Sequence, residues 1–474
     1  MVFSSPIFLF LFLPVVLLGY LLVGTLPNRK TSLFLRNVLL TIVSLYFYAW
    51  GEKFYVLVML LSIGITYFLG RVLATAHAKL WLFLGIVYHL SILGFLKYSG
   101  FFVEVLSNLG LSLGSYHPPH LPIGISFFTF QAISYLIDCH RSVTKPQQNP
   151  LGVALYISLF PQLIAGPIVR YSQIEKELSD RNHSLALFDY GIKRFVIGLA
   201  KKVLIANTIA EFVDYAFALP PSSLSLTVAW LAIIGYALQI YYDFSGYSDM
   251  AIGLGAMFGF HFPENFRTPY RAKSLREFWR RWHITLSEWF RDYLYFPLGG
   301  SRGSFFETSR NLFLVFILCG LWHGAAWTFV CWGLLHGFFL ALERGAFGRM
   351  LLKCPASIQH SYLLLVVLLS WVLFRTENLQ HAFDFYAALF GANGEVISDP
   401  FLFLRLDREV LFTLALGISL APFSLVPELK TDTESSTHAA VFNPAYSLLT
   451  VTILLLASAK LASSSYNPFI YFRF

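Results

Sequence analysis

The run NLFLVFILCGLWHGAAWTFVCWGLLHGFFLAL, Asn311 to Leu342, holds thirty-two residues without one Asp, Glu, Lys, Arg or Pro. As a straight helix it would be about 48 Å long at roughly 1.5 Å per residue. The hydrocarbon core of a bilayer is only about 30 Å thick. The run must therefore tilt, break or fold into two shorter pieces, and Gly320, Gly324, Gly333 and Gly337 are places to bend. It is a membrane segment, and it sets the class of the whole chain.

Working outward, further apolar spans are Ile7–Leu26, Asn37–Trp50, Phe54–Gly70, Leu80–Leu96, Leu224–Tyr242, Ser361–Phe374, Val410–Val426 and Ala445–Ala459. Charged residues make up 13% of the 474 residues, against about 25% in soluble proteins. With 48 Phe, 25 Tyr and 10 Trp and a mean hydropathy of +0.63, the chain has more apolar surface than water-soluble domains can hide. Disordered, collagenous and coiled-coil chains are excluded equally. Less regular apolar stretches, Leu121–Ile137, Leu151–Val169, Phe195–Phe217 and Met250–Phe262, carry prolines or polar residues such as Pro122, Gln131, Gln162, Lys201 and Lys202. Broken backbone at membrane depth must be buried in protein or line a wet cavity, which predicts an internal chamber with re-entrant helices. The expectation is an all-α polytopic membrane protein, one domain over residues 1–474, with about ten to fourteen membrane segments, re-entrant and interfacial helices included. Lys430–His438 reads as a polar loop.

The excess of 34 basic over 26 acidic residues lies in short loops between apolar runs. That placement points to the positive-inside bias and to anionic membrane lipid, not to nucleic acid. The first charge is Arg29, so no basic region precedes Ile7–Leu26, and this stretch is expected to be a retained helix. Arg29, Lys30 and Arg36 then face the cytoplasm and leave the N-terminus outside. Cys139, Cys319, Cys331 and Cys354 form no CxxC pair and no HExxH run occurs, so neither a disulfide framework nor a metal is expected.

The segment from Glu264 to Arg310 is strongly basic. Ser274 followed by Glu277 is a capping-box signature. Downstream, Phe278, Trp282, Thr285, Trp289, Tyr293 and Phe296 recur at helical spacing. They predict one amphipathic helix lying along the cytoplasmic interface, ended by Pro297-Leu298-Gly299-Gly300.

His323 lies thirteen residues past Arg310, about 20 Å along a helix and so near mid-membrane. An ionisable residue there is a functional candidate by default; the plain alternative is a neutral imidazole bonded between helices. His336 would sit about 220° further round a continuous helix. It converges with His323 only if the helix breaks between them, and is read as structural. The stretch Tyr241–Asp249 places Asp243, Ser245 and Asp249 at a helix end. These carboxylates orient His283, line a cytoplasmic mouth, or simply cap helices. Gly255 and Gly259 mark close helix packing, and no GxSxG, P-loop or kinase set is present.

LPIGISFFTFQ (Leu121–Gln131), DFSGYSD (Asp243–Asp249), FWRRWHITLSEWFRDYLY (Phe278–Tyr295), GLWHGAAW (Gly320–Trp327) and NPFIYFRF (Asn467–Phe474) together resemble the membrane-bound O-acyltransferases. The likeness runs along essentially the whole chain and is nearest the bacterial branch that takes part in alginate O-acetylation. Cys139-His140 before Arg141 departs from the apolar–aromatic pair of that branch, a difference that bears on the acceptor or partner surface. The resemblance implies helices gathered around a central funnel, with His323 as the catalytic histidine and His283 as a second important polar position. Asp243, Ser245, Asp249, Trp282, Trp322 and Gln131 are then candidates for the substrate or donor path. It further implies acetyl-coenzyme A or another acyl thioester as donor substrate, no bound cofactor, and a place in the bacterial inner membrane. A periplasmic acetyltransferase-type partner and polysaccharide machinery are expected around it.

Under that reading a neutral imidazole takes the proton of an acceptor hydroxyl as its oxygen attacks the thioester carbonyl, a step typically worth roughly 10²–10⁴-fold. No activated serine or cysteine nucleophile is evident, although Cys319 lies one helical turn before His323. The rival readings are a transporter of polysaccharide or a lipid-linked intermediate, and a scaffold for a secretion complex. Within enzymes they are D-alanyl transfer to teichoic acid and acylation of a protein.

Overall fold

The computed structural model describes every residue except 112–113, 395–398, 427–443, 464–465, 469 and 471–474; the polar loop expected at Lys430–His438 lies outside the described residues. Among the described residues the secondary structure is helical, with no strand. Six stretches are long and apolar enough to cross a membrane: Arg29–Val72, Ala78–Asn108, Leu226–Met257, Phe305–His323, Ala356–Arg375 and Pro444–Ser463. The chain is an all-α, multi-pass membrane protein. The irregular apolar run Leu151–Val169 folds into short pieces, Pro150–Ser158 and Phe160–Leu163. Large apolar side chains face outward: Phe10, Leu11, Val15, Leu18 and Leu22 are each about 60% exposed. A row of that kind is a surface for hydrocarbon and a liability in water.

Local chemistry sets the helix starts. Asn28 accepts the Lys30 and Thr31 amides, and Asn149 accepts that of Leu151, with Pro150 at the first helical position. Ser304 and Glu307 exchange side-chain and backbone bonds in a full capping box.

Contacts divide the chain into two compact units. One comprises Met1–Val196, Tyr247–Pro263 and Lys430–Thr452. Its core is aromatic, with Phe3, Phe8, Phe12, Phe47 and Phe160 in mutual ring contact. Here Gly124, at φ +78°, starts the helix Ile125–His140 that carries Gln131; a Cβ on it would lie 2.6 Å from the Leu163 carbonyl oxygen.

The other unit comprises Ile197–Gly246, Glu264–Leu429 and Ile453–Phe474. Of three expectations about these stretches, the first is met in one of its stated forms and the other two are corrected. The run Asn311–Leu342 is a hairpin of two helices, Phe305–His323 and Trp327–Arg344, broken where Gly324 is extended. The helices approach so closely that a Cβ on Gly320 would lie 2.2 Å from the Phe329 carbonyl oxygen, and one on Gly333 2.2 Å from that of Phe316. Secondly, Asp243 to Asp249 do not end a helix: Leu226–Met257 is continuous through them, because their charges are neutralised in place, as described below. Thirdly, the amphipathic pattern after Ser274 is not one helix. It forms Leu275–Trp279, a turn, Ile284–Phe290 and a wide π-turn Arg291–Tyr295. At the turn the neighbouring loop substitutes for helical bonds: Arg267 N–H donates to the Arg281 carbonyl (2.9 Å) and Ile284 N–H to that of Asn265 (2.9 Å). Ser274 caps the first piece by accepting the Glu277 amide, while the Glu277 carboxylate takes the Lys273 amide in place of that of Ser274.

Candidate functional site

His283 occupies the turn, in the left-handed region at φ +43°, where a non-glycine residue is uncommon and must be held. The holder is Asn265. Its Oδ1 faces His283 Nδ1 at 3.1 Å and also accepts from the Thr285 hydroxyl (2.9 Å) and amide (3.3 Å). An oxygen that can only accept puts the imidazole proton on Nδ1, so Nε2 is the acceptor face. Complete burial pushes the His283 pKa down to about 3, and the ring is neutral at physiological pH. The edge of Phe244 lies 4.7 Å away, and Trp322 5.9 Å away on another side.

His323 closes the first helix of the hairpin and is 3% exposed. Aromatic rings surround it at steep angles: Trp322 at 4.8 Å, Phe374 at 5.0 Å and Trp332, from the return helix, at 5.2 Å. Trp322 therefore touches both histidines and links them. Because the helix breaks after His323, Trp332 folds back onto it, and His336, one turn further along the return helix, lies 4.5 Å from the same indole, so the two histidines share Trp332. His336 Nδ1 accepts from Trp279 Nε1 at 3.3 Å, a bond that ties the hairpin to the basic segment. Trp282 lies a layer further out, packed between Phe266 and Trp371, each 5.1 Å away.

The two carboxylates do not orient His283; that task falls to Asn265. Asp243 is paired with Lys202 at 2.7 Å, both side chains almost fully buried, and also accepts the Ile470 amide at 2.9 Å. Asp249 belongs to the other unit and pairs with Arg194 at 2.9 Å. Ser245 is buried two residues beyond Asp243. Gln131 is also in the other unit, its carbonyl accepting from the Tyr156 hydroxyl at 3.3 Å. Thus His323, Trp322 and His283 form one constellation, and Asn265 and Phe244 are the members that sequence reasoning missed. Asn265 is eighteen residues before His283 in an unremarkable loop, and no spacing rule singles it out.

A cavity of about 330 Å³ lies between the basic segment and the hairpin, lined by Ile284, the residue after His283, and by Cys319, but not by the histidines themselves. Its apolar wall includes Trp279, Phe316, Leu340 and Cys319, while Arg276, Arg280 and Arg291 supply positive charge, that of Arg291 shared with Asp292 at 2.7 Å and Glu288 at 3.9 Å. Cys319 is one turn before His323. The site thus combines two buried imidazoles, that of His283 neutral, in an aromatic enclosure suited to accepting a proton, with a nearby hollow suited to an anionic group on an apolar arm.

Residues 59–381 match the family model of the membrane-bound O-acyltransferases. A probable alginate O-acetylase of Azotobacter vinelandii is 40% identical over the full length of both chains. A peptidoglycan O-acetyltransferase of Helicobacter pylori is 39% identical over 83% of this chain and 80% of its own. A teichoic acid D-alanyltransferase of Bacillus subtilis is 32% identical over 48% of this chain and 60% of its own.

Proposed function

Since the chain belongs to the membrane-bound O-acyltransferase family, we propose that it moves an acetyl group from a cytoplasmic thioester to, or towards, hydroxyls of an exopolysaccharide such as alginate. The observation that carries the reading is His323: a buried imidazole at the tip of a hairpin, linked through Trp322 to the neutral His283. In the proposed step His323 accepts the hydroxyl proton, the acceptor oxygen forms a bond to the thioester carbonyl carbon, and the carbon–sulfur bond breaks. The proton then passes from the imidazolium to the departing thiolate, so that ester and free thiol are the products. His283, with Nε2 as acceptor, positions a hydroxyl or amide N–H of one substrate.

Acetyl-coenzyme A or another phosphate-bearing thioester fits the cavity chemistry, with phosphate near Arg276, Arg280 and Arg291 and the acyl arm along Trp279, Phe316 and Cys319. The setting we propose is the bacterial inner membrane, N-terminus outside, with a periplasmic acetyltransferase-type partner completing transfer to the polymer. The likeness to the Helicobacter relative favours a second acceptor, peptidoglycan.

The test is acyl-thioester turnover in purified membranes, together with ester-linked acetate on exopolysaccharide and on peptidoglycan from cells with and without the gene. His323→Ala at unchanged protein level is expected to lower turnover by roughly 10²–10⁴-fold. Full turnover in that variant overturns the role of His323. The polymer that loses acetate identifies the acceptor.

A further inference from the structure

The Lys202–Asp243 pair is not used by the chemistry above, yet it is one of the most deeply buried ion pairs among the described residues, at 3% and 2% side-chain exposure. A wide π-turn, Lys201–Ala206, carries Lys202. Gly246 lets the long helix Leu226–Met257 approach it, since a Cβ there would lie 2.7 Å from the Gly198 carbonyl oxygen and 3.1 Å from the Lys202 nitrogen. Each partner also bonds the backbone of one distant segment. Lys202 Nζ donates to the Pro468 carbonyl, and the second Asp243 oxygen accepts the Ile470 amide at 2.9 Å. The two residues just before those bonds are held as well: Asn207 Nδ2 donates to Asn467 Oδ1 at 3.0 Å, and the Tyr466 hydroxyl donates to Asp214, which also holds Arg375 at 3.0 Å.

A buried ion pair is rarely worth more to stability than apolar residues of equal volume. Its distinguishing property here is that it reads backbone groups at two nearby positions, 468 and 470, which an apolar pair cannot do. The residue after Asp243 is Phe244, whose ring walls His283. We propose that Lys202 and Asp243 are positioning residues, a clamp that seats Pro468 and Ile470 against the turn of helix bordering the histidine site, and that acyl transfer requires these residues seated. The requirement rests on the acyl-transfer reading; the clamp does not.

Hydrogen–deuterium exchange of the Ile470 amide in the purified full chain reads the clamp directly, and donor turnover per folded molecule reads the requirement. In Lys202→Met/Asp243→Leu, which leaves no orphan charge, exchange is expected at least tenfold faster and turnover at least tenfold lower. Lys202→Arg, which keeps the cation, is expected to restore both towards the parent. Unchanged Ile470 exchange in a folded double variant overturns the clamp. Faster exchange with full turnover overturns the requirement. Should the parent itself turn over no thioester, the acyl-transfer reading and the requirement built on it fall together, and the exchange comparison still decides the clamp. If the double variant does not fold, Lys202→Met/Asp243→Asn, which removes the bond to Pro468 and leaves only a neutral acceptor for Ile470, is judged by the same two measurements: exchange faster than the parent and turnover lowered with it are expected, unchanged exchange overturns the clamp, and faster exchange with full turnover overturns the requirement.

Discussion

At the scale of single residues, the site depends on which nitrogen of His283 faces which neighbour. Asn265→Ala removes the acceptor that fixes the tautomer and leaves Nδ1 of a buried ring without this partner. A loss of about 1–3 kcal/mol is expected from the broken buried bond, measured by thermal unfolding in detergent, with turnover falling further than the folded fraction. The His283 ring also gives a pH signature. Its pKa is about 3 when folded, against an ordinary value of 6.5, so the unfolded chain binds the proton first. Its stabilising contribution is complete above pH 6.5 and drains away as the pH falls towards 3. His183, pushed down to about 4 by burial and by Arg36 and Arg181, acts in the same direction. His261, raised by its bond to Glu177, acts in the opposite one. Unfolding midpoints measured from pH 7 to pH 4 should therefore fall, and His283→Gln should flatten the slope in that window; a slope unaltered by the substitution removes His283 from the account.

At the scale of elements, the hairpin is the device that matters. Its glycines are contact points between backbones, so the neighbours that a methyl group would meet are carbonyl oxygens that cannot rotate away. Gly320→Ala and Gly333→Ala should each cost at least about 1–3 kcal/mol and should separate Trp332 from His323, lowering turnover beyond the loss of folded protein. Circular dichroism melts and turnover per folded molecule check this together. Ser304→Ala, at the start of the same hairpin, is the control: loss of a cap costs about 1 kcal/mol and should leave turnover per folded molecule unchanged.

At the scale of the molecule, the basic segment and the hairpin enclose a cavity whose charge belongs to no one element. Replacing Arg276, Arg280 and Arg291 by Gln together should raise the donor KM about tenfold at low salt and progressively less as ionic strength rises, with kcat little changed; a salt-independent KM in the parent argues against phosphate recognition there. Hydropathy by itself determined the membrane class and the helical fold, because residues 311–342 without a charge have no other stable home. The motifs around His283 and His323 made both histidines visible for the same one-dimensional reason. The break in the basic segment was not legible, unlike that in 311–342: the turn at His283 exists because Asn265 and Arg267 supply bonds from outside the helix. The hairpin exists because Gly320 and Gly333 meet backbone from the opposite strand of the chain. The partners of Asp243 and Asp249, the indole shared by His323 and His336, and the cavity beside Cys319 were likewise decided only in three dimensions. Spacing along a chain fixes which residues share a helix face, but hydrogen-bond satisfaction and close packing are settled by groups far apart in sequence, and those groups place the site.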